Sequence, residues 1–95
     1  MFGRRRTALI GGQLTHDELR AWLVAELARM VKITEAEVDT GKPFEAYGLH
    51  SLAAVQFSGA LEKVVEHRLS PGILFDHQTI DDLVDYLTRE LPLRS

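Results

Sequence analysis

The chain has 95 residues and no cysteine, and this absence removes two kinds of site. No disulfide framework can form, and no thiolate is available to bind a metal ion. Aromatic residues make up only 7%, and no apolar run approaches the roughly 20 residues that cross a membrane. We therefore expect one small cytoplasmic domain with a modest hydrophobic core and no membrane partner.

Basic residues are also few, and they are unevenly placed. Three of the 11 stand together at positions 4–6, which leaves eight basic residues against 14 acidic ones in the remainder. An acidic body argues against a nucleic-acid partner. The apolar run after the arginines is too short for a secretory signal peptide. Residues 1–13 lack periodicity, and we expect them to form a flexible leader.

The remaining chain has the periodicity of helices. Thr15 and Glu18 form a capping box that predicts a first helix over residues 16–31, with Trp22 as a core anchor. A second helix is expected over residues 51–69. A third begins after the cap Thr79 and stops before Pro92. One short helical turn is expected at residues 73–75. The sequence thus predicts an all-α bundle over residues 14–92, with three main helices, one short helix and a tail at 93–95.

A long connection, residues 32–50, separates the first two predicted helices. Residues 34–38 are expected to form one short turn, and the apolar side chains are expected to hold the connection against the bundle: Ile33, Val38, Phe44 and Tyr47. A connection of this length in a small domain is often functional. It ends at Ser51, which we expect at the start of the second helix, as its first residue or its cap.

Ser51 is the best candidate for a functional residue. The first N–H groups of a helix have no partner inside it, so a hydroxyl at this position is suited to hold an anionic group. A hydrolytic nucleophile is disfavoured because Ala53 stands where a nucleophile elbow has glycine. The four histidines lack metal-ligand spacing, so no metal site is expected. Spacing alone leaves open that Ser51 is only a passive cap.

The second predicted helix has two distinct faces. One is assigned to the core and carries Ala54, Phe57, Leu61, Val64 and Val65. The other lies beside Ser51, and we interpret it as a partner-docking patch; with the flanking His50 it comprises His50, Leu52, Val55, Gln56, Gly59 and Glu62. The alternative is that Leu52 and Val55 only touch the preceding loop.

Two motifs carry a resemblance to a known family. The stretch Phe44-Glu45-Ala46-Tyr47-Gly48-Leu49-His50-Ser51-Leu52-Ala53-Ala54-Val55 resembles the attachment region of acyl carrier proteins, which usually read Gly-x-Asp-Ser-Leu. The stretch Leu74-Phe75-Asp76-His77-Gln78-Thr79-Ile80 resembles the family's second signature. The sequence of these motifs is most similar to that of carrier domains of modular polyketide synthases.

This resemblance implies a carrier without catalytic residues of its own. Ser51 would receive 4′-phosphopantetheine from coenzyme A through a separate phosphopantetheinyl transferase. The thiol of the arm would hold an acyl group as a thioester and present it to acyl-loading and polyketide synthase-type enzymes. The carrier is expected to be a monomer that meets each partner weakly.

Two residues depart from the family pattern. His50 stands in place of the usual aspartate, as it commonly does in peptidyl carriers of nonribosomal peptide synthetases, so a peptidyl or aminoacyl carrier is an alternative. Gln78 replaces the usual proline, and we expect little effect. A further alternative is an unmodified carrier-like interaction module.

Overall fold

A computed structural model describes residues 14–91, and every regular element in that range is helical. The main helices are α1 (His16–Val31), α2 (Ser51–Val65) and α4 (Ile80–Glu90), and the short helix α3 is Ile73–Asp76. The predicted all-α bundle with three main helices and one short helix is confirmed. The predicted leader, residues 1–13, and tail, residues 93–95, lie outside the described residues.

Helix α1 has the predicted bounds because its N-terminal signal is local. The Thr15 hydroxyl accepts from the Glu18 N–H at 3.0 Å, and the Thr15 N–H donates to the Glu18 carboxylate at 2.9 Å. This reciprocal pair satisfies two donors that the helix itself leaves free. The helix ends where Lys32 adopts a left-handed conformation with φ of 63°.

Helix α2 is shorter than predicted, and the prediction of residues 51–69 is wrong at its C-terminal end. Glu66 takes a left-handed conformation with φ of 52° and closes the helix after Val65. The Leu69 N–H donates to the Glu62 carboxylate at 2.8 Å, which fixes the chain after it has left the helix. Leu69 lies outside the helix but still packs on the core. Its apolar side chain therefore extends the helical pattern in the sequence beyond the residue at which the helix ends.

Helix α4 begins as expected. The Thr79 hydroxyl accepts from the Asp82 N–H at 3.0 Å, and Asp81 and Asp82 occupy the first turn. His77 closes α3 through its N–H to the Ile73 carbonyl at 3.0 Å. The backbone carbonyl of Gln78 accepts a hydrogen bond from the Phe44 N–H. Proline, the usual residue of the family at this position, has the same carbonyl group.

The core lies where α1 packs against α2 and α4, and where α2 meets α3. Its centre is aromatic: the Phe57 ring lies 6.0 Å from Trp22, edge to face, and 5.6 Å from Phe44. Trp22 is half-buried and packs on the core, in agreement with its predicted role. Each helix contributes buried apolar residues, among them Leu19, Leu23, Leu27, Leu61, Ile73, Leu74, Ile80, Leu83, Val84 and Leu87.

The connection from α1 to α2 is more ordered than predicted. The expected short turn is a 3₁₀ turn at Glu35–Glu37, and a second 3₁₀ turn at Phe44–Tyr47 was not predicted. The Tyr47 hydroxyl donates to the Asp39 carbonyl at 2.8 Å and accepts from the Asp39 N–H at 2.6 Å.

Two hydrogen bonds join the connection to the start of α4. The Phe44 N–H donates to the Gln78 carbonyl at 2.8 Å, and the Asp81 N–H donates to the Thr40 carbonyl at 3.0 Å. The Arg20 guanidinium of α1 donates to the Asp81 carboxylate at 2.7 Å. The long connection is therefore held against the bundle directly before it reaches Ser51.

Candidate functional site

Ser51 is exposed and is the first residue of α2. Buried residues on both sides fix its position: Leu49 is 5% exposed and Ala54 is 2% exposed. Gly48, with φ of 86°, turns the chain between the second 3₁₀ turn and Leu49. Ser51 is thus held at the start of the helix, on the surface of the bundle.

The cap of α2 differs from those of the other two main helices. In α1 and α4 a threonine hydroxyl accepts a hydrogen bond from the first turn, whereas the His50 side chain at the α2 cap makes no such bond. His50 occupies the cap position, so Ser51 is the first residue of the helix and not its cap; its role as an attachment site stays a prediction. The His50 side chain therefore leaves the first-turn N–H groups of α2 without a cap hydrogen bond, and the helix dipole there favours a negatively charged group.

A cavity of about 300 Å³ opens beside Ser51. It lies between the end of the long connection, the first turn of α2 and helix α3. The residues that line it include Pro43, Phe44, Gly48, Leu49, Ala54, Leu74 and Phe75. A group attached to the Ser51 hydroxyl would therefore start next to a partly apolar groove.

The residues predicted for docking lie on the exposed side of α2. Leu52 is 64% exposed and Val55 is 45% exposed, so neither is covered by the preceding loop. His50, Gln56 and Gly59 are exposed as well. The five residues and Ser51 are thus all exposed, as the sequence predicted; their role in docking stays a prediction.

Glu62 differs from the other predicted docking residues. Its side chain is 33% exposed, it accepts from the Leu69 N–H, and it lies 3.6 Å from the Arg68 guanidinium. It follows Ser51 by 11 positions of the helix, or roughly 16 Å along the axis. Its carboxylate therefore helps to hold the chain that follows α2.

Phe75 is an exposed aromatic residue that the docking prediction omitted. It is 54% exposed and lines the cavity beside Ser51. The sequence does hold a signal for this exposure. A one-turn helix with three consecutive apolar residues, Ile73, Leu74 and Phe75, cannot turn all of them to the core, and the first two are buried.

Comparison with known proteins identifies this arrangement. The family model described as "Phosphopantetheine attachment site" matches residues 21–87, which include Ser51, the first turn of α2 and α3. The chain belongs to this phosphopantetheine-binding carrier family. Members of the family carry covalent 4′-phosphopantetheine, so the predicted carrier and its cofactor are confirmed at the level of the family.

Solved carrier proteins share the fold. A free-standing peptidyl carrier protein from Acinetobacter baumannii is 30% identical, with a TM-score of 0.74 over 80% of this chain and 95% of that one. The acyl carrier protein LipD from Actinoplanes friuliensis is 34% identical, with a TM-score of 0.70 over 85% of this chain and 90% of that one.

Among curated proteins, the carrier is 31% identical over 87 residues to a phenolphthiocerol/phthiocerol polyketide synthase polypeptide from Mycobacterium tuberculosis. The alignment covers 92% of the carrier but only 5% of that synthase polypeptide. The carrier thus corresponds to a small part of a much longer synthase, and its relatives are carrier domains of polyketide synthases.

Three further observations describe the carrier. Between residues 14 and 91, no helix is both long and apolar enough to cross a bilayer. In the same range, no cluster of three or more histidine and acidic residues has the geometry of a metal site. His77, one of the four histidines, stacks on the Tyr86 ring at 4.1 Å between centroids.

Proposed function

We propose that Ser51 carries 4′-phosphopantetheine, and that the chain holds an acyl intermediate as a thioester and presents it to polyketide synthase-type enzymes. The observation that carries the proposal is the exposed Ser51 hydroxyl at the first position of α2, within the residues that match the family. The proposed carrier unit spans residues 14–92, and its proposed location in the cell is the cytoplasm.

The attachment chemistry needs little from the carrier itself. A phosphopantetheinyl transferase would supply the base that removes the Ser51 proton, and the serine oxygen would replace the nucleotide part of coenzyme A on the phosphorus. The resulting phosphodiester carries one negative charge at the start of α2, where the helix favours an anion by about 0.3–1 kcal/mol. The carrier supplies position, exposure and this electrostatic environment, and no catalytic group.

A polyketide-type acyl group is favoured by the relatives among polyketide synthases. A peptidyl or aminoacyl cargo is the second candidate, because one similar structure is a peptidyl carrier protein. The residue His50 before Ser51 also fits that candidate. The mass of the carrier after loading by its own partner enzymes distinguishes an acyl cargo from an aminoacyl one.

The attachment is tested with coenzyme A and a broad-specificity phosphopantetheinyl transferase, followed by intact mass. The wild-type carrier should gain one phosphopantetheine group, and Ser51→Ala should gain none while keeping its helix content. Ser70→Ala is the matched control, since Ser70 is also exposed but lies in the connection after α2. A folded wild-type carrier that gains no mass would favour the unmodified interaction module, and modification of Ser51→Ala would place the site elsewhere.

A further inference from the structure

His50 directly precedes Ser51, and the fold makes no use of its imidazole. The residue is exposed at the cap position of α2, and its side chain makes no cap hydrogen bond. None of the ion pairs within residues 14–91 includes it. A neutral imidazole donates a hydrogen bond through one ring nitrogen, and a protonated one donates through both. His50 therefore offers an unused donor at the residue next to Ser51.

The cavity beside Ser51 has both residues in its lining. Among the described residues that line it, Glu45 is the only ionisable one besides His50. Helix α2 has no charged residue before Glu62, α3 contributes only apolar side chains to the lining, and Gln78 before α4 is uncharged. An anionic group fixed to the Ser51 hydroxyl would thus meet one group that can become a cation, His50, and one carboxylate, that of Glu45.

We propose that the imidazole of His50 donates a hydrogen bond to the phosphodiester that links Ser51 to the prosthetic arm. This inference rests on the proposed function, because it concerns the group attached to the same serine. Consecutive Cα atoms are about 3.8 Å apart, so a histidine side chain can reach an oxygen on a phosphorus bonded to the next residue. Protonation of His50 makes the hydrogen bond charge-assisted, and such bonds are shorter and stronger. The aspartate that the family usually has at this position would repel the same phosphodiester.

A thermodynamic cycle between the apo and holo carriers isolates this contact. The holo forms are made with coenzyme A and the broad-specificity transferase, and melting temperatures are measured for both forms of wild type and His50→Ala. Any effect of the substitution on the helix cap then cancels. At about pH 6, attachment should raise the melting temperature of wild type by about 1–5 °C more than that of His50→Ala. At about pH 8.5 this excess should shrink, because the imidazole is then neutral.

The matched control is His67→Ala. His67 is exposed like His50 but does not line the cavity beside Ser51, so this variant should behave as wild type. His50→Asp tests the sign of the interaction. Its carboxylate repels the phosphodiester, so attachment should raise its melting temperature less than that of His50→Ala.

The ³¹P resonance of the holo carrier provides a readout that does not depend on unfolding. A phosphodiester keeps its single negative charge between about pH 6 and 8.5, whereas histidine changes charge in this range. The resonance of wild type and of His67→Ala should therefore move with pH, and that of His50→Ala should not.

Two results would overturn the inference. One is an equal effect of attachment on wild type and His50→Ala, with a ³¹P resonance that moves equally in both. The other is an excess that appears only when Glu45→Gln is introduced, since Glu45 would then hold the imidazole in the wild-type carrier. Failure of the proposed function has a different signature, because the transferase would then add no phosphopantetheine to wild type.

Discussion

Leu49 and Leu52 lie on either side of Ser51 and provide a matched pair of leucine-to-alanine substitutions. Leu49 is 5% exposed, whereas Leu52 is 64% exposed. Truncating a buried leucine costs about 2–5 kcal/mol. Because Leu49 lines the open cavity and its surroundings can relax, we expect Leu49→Ala to cost about 2–3 kcal/mol, in the lower half of that range.

The same reasoning predicts a small effect at Leu52. Full burial of a leucine contributes about 1.5–3 kcal/mol, and Leu52 has only about a third of its surface covered, so Leu52→Ala should cost less than about 1 kcal/mol. Its effect should appear in phosphopantetheine transfer, where loss of an exposed apolar contact raises KM. Leu49→Ala should change the free energy of unfolding far more than it changes KM, measured at a low temperature where the variant is folded.

Urea denaturation measures the two stabilities with a convenient reporter. Trp22 is the single tryptophan of the chain and lies edge to face with Phe57 in the core, so its fluorescence follows unfolding. For a domain of this size, total stability is about 4–12 kcal/mol, and Leu49→Ala should remove a large fraction of it. The reasoning is refuted if Leu52→Ala is the more destabilising change, or if Leu52→Ala leaves transfer unaltered.

Three further predictions concern the scaffold. The Arg20 guanidinium holds the pKa of the Asp81 carboxyl below its usual value, so the pair stabilises the fold above about pH 4 and this contribution is lost as pH falls through the lowered pKa. Both side chains are partly exposed, so Asp81→Asn should cost at most about 1 kcal/mol at pH 7 and less at pH 2, as urea titrations at both pH values will show. Gly48→Ala should destabilise the fold by about 1–2 kcal/mol in the same assay, because φ is 86° there; Gly59→Ala, with the opposite sign, is its control. Thr15→Ala should cost about 1 kcal/mol and weaken amide protection of the Glu18 N–H, whereas unchanged protection would contradict the capping box.

Local chemistry explains which parts of the fold could be predicted from the sequence. The caps Thr15 and Thr79 can be recognised from each threonine and the residue three positions after it. Both helices begin where the sequence predicts. Ser51 could be placed at a helix start for a similar reason, since Gly48 and the loop before it interrupt the periodicity. These signals depend on neighbours along the chain, so tertiary contacts are not needed to interpret them.

The errors have the opposite character. The end of α2 depends on Glu66 in a left-handed conformation, and no glycine marks that position in the sequence. Leu69 packs on the core after the helix has ended, so apolar periodicity alone cannot place the boundary. The second 3₁₀ turn is fixed by the Phe44 N–H bonding to the Gln78 carbonyl, a contact between residues 34 positions apart that no local pattern reveals.

The two hydrogen bonds that join the long connection to the beginning of α4 have a consequence for motion. Phe44 and Asp81 each donate across this junction, so the segment leading to Ser51 cannot separate from the bundle unless both bonds open. The connection and the first turn of α4 should therefore open as one cooperative unit. A carrier that must visit several enzymes would then keep the base of its swinging arm rigid, and the movement would belong to the arm and to the domain as a whole.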